Sequence, residues 1–150
     1  LVLAGQKILN GNLDVLNELE SYIFTNNLSK SILMTGYLSG AEICSLYKNA
    51  LIYVFPSVEE GFGIPVLEAF AMKTPVVSSN AAAMVEIAKG AAQHYNKGDY
   101  TELFKTLNKL IISKPKRIHL IEKGSKRLKA FSREKFIKDY EQFILNSVTN

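Results

Sequence analysis

The sequence has no tryptophan, two histidines and a single cysteine, Cys44. One thiol closes no internal disulfide and has no second cysteine to share a metal. Neither His94 nor His119 has a Cys, His or carboxylate at metal-ligand spacing, so both histidines read as structural or surface residues. Cys44 falls at an apolar position of a predicted helix, where a free thiol is expected to pack in the core as a small hydrophobe. No apolar run reaches the length of a membrane-spanning helix, and Leu1 opens no signal-peptide pattern. The expectation is a soluble, intracellular domain. Internal repeats, low-complexity stretches and Pro/Gly-rich linkers are also missing, and 150 residues suffice for one domain with a substantial core.

Charge is present but unevenly placed. Residues 1–113 carry 8 basic and 10 acidic groups, whereas residues 114–150 carry 10 basic and 4 acidic groups. A basic end of this kind favours anionic surfaces, lipid head groups included, and serves equally as a solvated helix face. Nucleic acid is not expected as a partner, because aromatic residues are not interleaved with the Lys and Arg on a sheet face.

Leu1-Val2-Leu3-Ala4-Gly5 reads as a strand buried on both faces. Leu13, Leu16, Leu19 and Ile23 recur at helical spacing, and Asn26-Asn27 ends that helix. Ser31 to Gly36 is the next strand; Ser39 and Glu42 form a capping box for a helix that turns Ile43, Leu46 and Tyr47 inward. Leu51 to Phe55 is a third strand, stopped by Pro56. Pro65 suits the first position of a helix reaching about Lys73, since its missing N–H costs nothing there. Pro75 to Ser78 and the weaker Ala92 to Tyr95 complete the strands. Asp99 and Glu102 cap a helix with Leu103, Leu107 and Leu110 on one face, and two successive helical patterns follow, Pro115 to Ala130 and Ser132 to about Ser147. Tyr53, Phe55, Phe104, Phe131, Phe136, Tyr140 and Phe143 read as core aromatics. Part of the Phe136, Tyr140, Phe143 and Ser147 stripe is also expected to be exposed, as an interaction site or an association liability. Strands alternating with single helices predict an α/β class with a doubly wound, Rossmann-like parallel sheet. The strands near 1–5, 31–36, 51–55 and 75–78 are expected to be neighbours in one sheet.

Ligands of such sheets sit beyond the carboxyl ends of the strands, at the loops after Gly5, Gly36, Phe55 and Ser78. The loop after Phe55 is unusual: between Pro56 and Glu68 it holds Gly61, Gly63, Pro65 and three carboxylates, Glu59, Glu60 and Glu68. The glycines allow tight turning and close approach of a ligand. Helix-start amides near Ile64 to Leu67 would face an anion such as a diphosphate. Glu60 and Glu68, as ionised acceptors, could grip sugar and ribose hydroxyls on either side of it. Spacing alone does not separate this from carboxylates that merely favour the helix dipole and solvent. As a dinucleotide fingerprint the stretch is weak, with Val66 in place of the third glycine.

Ser57, Glu60-Gly61-Phe62-Gly63, Pro65, Glu68-Ala69, Pro75-Val76-Val77 and Glu86 together resemble the signature of glycosyltransferase family four, whose members have two facing Rossmann-like domains (the GT-B fold). Two Glu residues separated by seven others are its hallmark. Gly36-Tyr37-Leu38-Ser39, Ser78-Ser79-Asn80 and Gly90-Ala91-Ala92 fall at matching intervals, so the resemblance covers nearly the whole chain. It implies a C-terminal, donor-binding domain of a retaining hexosyltransferase, similar to bacterial O-antigen mannosyltransferases and working in lipopolysaccharide or other surface-polysaccharide synthesis. The implied ligand is a GDP- or UDP-linked sugar, held without a metal or other cofactor; no Asp-x-Asp loop is present, and Glu18 and Glu20 lie mid-helix. In that reading Glu60 is the catalytic carboxylate at the donor sugar's hydroxyls. Gly61, Phe62, Gly63, Ile64 and Pro65 lie along sugar and diphosphate, Glu68 binds the ribose, and Gly36, Tyr37 and Leu38 line the base. Glu86, at the start of a short helix, either helps hold that region or stands there simply as a first-turn carboxylate.

The family usually has Gly where Lys73 stands, which predicts a differently built helix end. The Arg and Lys that hold the donor's phosphates, and the acceptor-binding domain, belong to a part of the family's sequence that precedes the strand at Leu1–Gly5. The chain is thus expected to be a truncated, inactive piece of an enzyme that is cytoplasmic or peripheral at the inner membrane face. A second reading, from a different class, is a catalytically silent Rossmann-type module that binds a nucleotide as a sensor or scaffold.

Overall fold

The computed structural model describes residues 1–5 and 13–148; for Leu13 and residues 143–148 it describes the backbone path alone. The loop after Gly5 and the side chains of Phe143 and Ser147 lie outside the described residues. The elements are β1 (Val2–Ala4), α1 (Leu13–Thr25), β2 (Leu33–Gly36), α2 (Gly40–Asn49), β3 (Tyr53–Phe55), α3 (Ile64–Ala71), β4 (Val76–Ser79), α4 (Ala82–Ala88), β5 (Gln93–Tyr95), α5 (Tyr100–Ile111), α6 (Lys114–Leu128) and α7 (Arg133–Val148). A single 3-10 turn, Lys129–Phe131, joins the last two helices. Residues Leu1–Ile43 and Cys44–Asn150 form two compact units.

In the first unit β1 pairs in parallel with β2. Thr25 ends α1, and Asn27 takes a left-handed conformation, φ 55°, which asparagine tolerates better than most residues. The capping box forms as its spacing predicts: Ser39 N–H donates to Glu42 Oε2 at 2.8 Å, and Glu42 N–H reaches back to Ser39 Oγ at 3.4 Å. The Ser39 hydroxyl and amide hold the Glu42 carboxyl below its usual range. β1 is not buried on both faces. Val2 and Ala4 are exposed and Leu3 only half-buried, because among the described residues this is a two-stranded ribbon.

In the second unit β3, β4 and β5 make a three-stranded sheet, and every pairing is parallel. The five strands therefore form two sheets among the described residues, not the single sheet expected. Alternation of strands and helices dictates parallel pairing but not which strand sits beside which. β4 is the buried-on-both-faces strand, with all four residues inaccessible. Val66, Ala69 and Phe70 of α3 and Met84, Ile87 and Ala88 of α4 are buried as well. Val77, Tyr95, Leu110 and Leu120 form a further cluster, with Leu103 and Leu107 packed against it.

Asp99 caps α5 by accepting from Glu102 N–H at 2.8 Å. In α6, Gly124 lies against the buried ring of Phe70, and a Cβ there would stand 2.6 Å from Phe70 Cδ1. Lys73 adopts φ 58°, so the chain leaves α3 through the left-handed turn that glycine would make; the helix end is built in the usual way with a costlier residue.

Three further expectations of burial fail. Cys44 is exposed, since the inward face of α2 is carried by Tyr47, with Ile43 and Leu46 only half-buried. Phe104 is exposed because it stands about 100° around α5 from the stripe of Leu103, Leu107 and Leu110. Phe136 and Tyr140 are stacked on each other along α7 yet exposed, in keeping with the expected open stripe and not with a core role. Among the described residues no helix is long and apolar enough to cross a membrane.

Candidate functional site

β3 ends at Phe55, and the chain passes through an exposed rim, Val58 to Phe62, before Gly63 turns it into α3. Local bonds hold the rim at its start: Ser57 Oγ donates to Glu59 O at 2.7 Å, and Ser79 Oγ at the end of β4 donates to Ser57 O. Gly63 is the pivot. Its φ is 91°, a conformation that favours glycine, and a Cβ would stand 2.5 Å from Met84 Cε, the terminal methyl of a flexible side chain, which would have to shift. Gly61 is different, for nothing lies within 4 Å of its would-be Cβ.

α3 begins without a side-chain cap and without an acidic residue in its first turn, so neither of these usual partners meets its dipole end. The set of free amides is narrower than the sequence suggests. Pro65 stands second in α3 and has no N–H, and Val66 N–H donates to Gly63 O at 3.0 Å.

Glu60 and Glu68 are both exposed, one on the rim and one a turn into α3. Burial raises the pKa of the Tyr53 phenol on β3, the Tyr47 hydroxyl opposes that shift, and the charges of Glu68 and Glu60 reinforce it. Glu68 Oε2 accepts from the Tyr47 hydroxyl at 3.3 Å. Tyr47 is buried and meets Tyr53 edge to face, with ring centroids 4.9 Å apart. Burial, then Tyr53, then Glu68 push its pKa far above the usual phenol range. The sequence pattern turns Tyr47 inward on α2 but does not point to Glu68. The available signal was its hydroxyl, since a buried phenol normally finds an acceptor.

Phe62 leads to the C-terminal helices. Its ring meets Phe131 edge to face at 6.2 Å, and the Arg127 guanidinium lies 4.6 Å from the Phe131 centroid. Arg127 also donates to the carbonyls of Ile87, at 2.7 Å, and Glu86, at 3.1 Å. Arg127 thus closes the C-terminal end of α4, a role that sequence reading missed because the partners lie some 40 residues apart. Glu86 itself is fifth of the seven residues of α4; it is not a first-turn carboxylate, since Ala81 caps the helix earlier than expected. Beside Phe62 a groove of about 610 Å³ is lined by Leu67, Phe131, Arg133, Phe136 and Tyr140.

Gly36, Tyr37 and Leu38 belong to the first unit, where Gly36 takes φ 69° and Tyr37 is exposed.

Residues 1–127 match the family described as glycosyl transferases group 1. The chain belongs to that family. It is 33% identical over 92 residues to the O-antigen chain mannosyltransferase RfbU of Salmonella typhimurium, covering 61% of this chain and 26% of that protein. The C-terminal domain of the group 1 glycosyltransferase LpcC from Francisella tularensis is 30% identical with a TM-score of 0.70, over 79% of this chain and 62% of that one. Anabaena HepE, solved with UDP-glucose, shares the fold at 20% identity and a TM-score of 0.80, over 99% of this chain and 40% of that one. The group 1 chain is thus a GT-B-type, Rossmann-like domain that spans about a quarter of the length of RfbU.

Proposed function

We propose that this group 1 domain is the donor-binding half of a retaining hexosyltransferase that takes a GDP- or UDP-linked sugar. The transferred hexose would go to a saccharide or lipid-linked acceptor in O-antigen or other surface-polysaccharide synthesis, in the cytoplasm or at the inner membrane face, where the basic α6 favours anionic lipid. The observation that carries the reading is two exposed carboxylates on either side of the Gly63 turn, Glu60 before it and Glu68 a turn into α3, flanking a helix start with no side-chain cap and no acidic residue in its first turn. Glu60 would accept from the donor sugar's hydroxyls and Glu68 from the ribose. Gly61, Phe62, Gly63, Ile64 and Pro65 would run along the diphosphate. The reading uses no metal, because phosphate charge meets amides and the helix dipole. Transfer itself would come from positioning and from electrostatic stabilisation of the departing diphosphate, and needs cations and an acceptor site beyond residues 1–150. The names of RfbU and of the HepE complex support the sugar and nucleotide classes.

Calorimetric titration with UDP and GDP tests the assignment. Residues 1–150 should bind one of them weakly and transfer no sugar. Glu68→Gln should cost about one to two decades of affinity for that nucleotide, as expected for a lost charge-assisted hydrogen bond. Glu60→Gln should leave sugar-free nucleotide binding nearly unchanged. Equal losses in the two variants would refute the division of labour, and turnover by residues 1–150 would refute the need for a second domain.

A further inference from the structure

Glu68 is exposed, and a free glutamate on a helix surface samples many rotamers that a ligand would have to freeze. Tyr47 removes part of that freedom. Its hydroxyl meets Glu68 Oε2 at 3.3 Å, and the tyrosine is itself held from two further sides. The buried Thr74 hydroxyl donates to its carbonyl at 2.7 Å, and the Tyr53 ring packs on its edge at 4.9 Å. A phenol so placed stays protonated across the physiological range and has one proton to donate; it lies within reach of Glu68 Oε2 with the Tyr53 hydroxyl as its other neighbour, so when donated to Glu68 it occupies one lone pair and orients the carboxylate plane. An ionised carboxylate has about four acceptor positions, enough to keep this bond and still receive two vicinal hydroxyls.

We propose that Tyr47 is a positioning residue for nucleotide recognition: through its hydroxyl it fixes Glu68 in the orientation that receives the ribose 2′- and 3′-hydroxyls, and so confers selectivity for ribonucleotides. This rests on the proposed role of Glu68. Tyr47 acts through Glu68 and touches no ligand, and its contribution is pre-organisation of the acceptor.

Titration calorimetry of residues 1–150 tests it with UDP or GDP, whichever binds, and with the matching 2′,3′-dideoxynucleoside diphosphate. Tyr47→Phe should weaken the ribonucleotide about three- to tenfold and leave the dideoxy compound unchanged. Adding Tyr47→Phe to Glu68→Gln should cost nothing further, since the two act as one unit. Glu68→Asp keeps Tyr47 and the core intact while drawing the carboxylate one methylene away from the phenol, and should lose the same selectivity; it gives the answer if Tyr47→Phe does not fold. Equal weakening of both nucleotides by Tyr47→Phe, additive losses in the double variant, or full selectivity in Glu68→Asp would overturn the positioning role alone. No nucleotide binding by the parent chain, or no effect of Glu68→Gln, would overturn the assignment of Glu68 and this inference with it.

Discussion

The floor of the site loop and its rim, a few residues apart, are built on opposite terms. On the floor Gly63, Val66, Ala69 and Phe70 are buried, Met84 closes over Gly63, and β4 beneath is inaccessible throughout. On the rim Val58 to Phe62 are exposed, and Gly61 has open space where a side chain would go. Protein contacts explain every constraint on the floor. They explain few on the rim, where Phe62 meets Phe131 but the chain also carries two carboxylates and a glycine with most of their polar or steric capacity unspent. Constraints absent from the protein are those a ligand would supply, so the same substitution should be read out as stability on the floor and as binding on the rim.

The largest effect belongs to Gly63→Ala. The new methyl would need the left-handed conformation at φ 91° and a place already held by Met84 Cε, 2.5 Å away. Backbone strain is the main cost, since the Met84 methyl is the end of a flexible side chain that can shift, for a loss of about 1–3 kcal/mol. Urea unfolding should show a lower midpoint at unchanged slope. A midpoint within error of the parent would mean that the floor is not as closed as it looks.

A smaller effect separates the two regions by pH. His94 on β5 lies under the floor, its Nδ1 at 3.0 Å from Ser78 Oγ and 3.2 Å from Ser79 O, and its Nε2 is buried without a partner. Burial lowers its pKa below the usual 6.5, against a smaller opposing pull from Ser79 O. The unfolded chain therefore binds more protons between the two values. The neutral ring's contribution is fully present above about pH 6.5 and is lost as pH falls through that window. Unfolding midpoints should decline from pH 7 to pH 5, and His94→Gln should flatten that part of the slope. An unchanged slope in the variant would assign the acid sensitivity to other groups.

How much of this was legible in advance follows from the range of each interaction. Ser39 with Glu42 and Asp99 with Glu102 are contacts three residues long, and spacing alone located both caps. The site loop was visible because Gly61, Gly63, Glu60 and Glu68 fall within nine consecutive residues, and the family signature covers them. Contacts spanning 20 to 40 residues were not visible: Tyr47 to Glu68, Arg127 to the end of α4, and the division of five parallel strands between two sheets. Cys44 and Phe104 were misread for a local reason, since an apolar residue one step from a buried stripe fits a helical pattern almost as well as its neighbour on the stripe. Lys73 shows the converse. Its left-handed backbone keeps the turn where the absence of glycine predicts a differently built helix end.

The smallest effect on stability should come from Gly61→Ala, and it is the sharpest test of the comparison. Gly61 is exposed, its φ is outside the left-handed region that Gly63 occupies, and no atom lies within 4 Å of the added methyl. Alanine should thus change unfolding by no more than about 0.5 kcal/mol, as surface substitutions usually do. A ligand backed against the rim would meet that methyl directly, because glycine is required wherever backbone and ligand must touch. Affinity for the UDP- or GDP-linked sugar should fall about tenfold or more, and Gly61→Val should extend the loss while the unfolding midpoint stays near the parent's. If both variants bind the nucleotide sugar as the parent does, Gly61 is glycine for no reason connected with the ligand, and the open space at the rim is merely solvent. If instead stability collapses with binding, the rim is held by protein contacts after all, and its difference from the floor disappears.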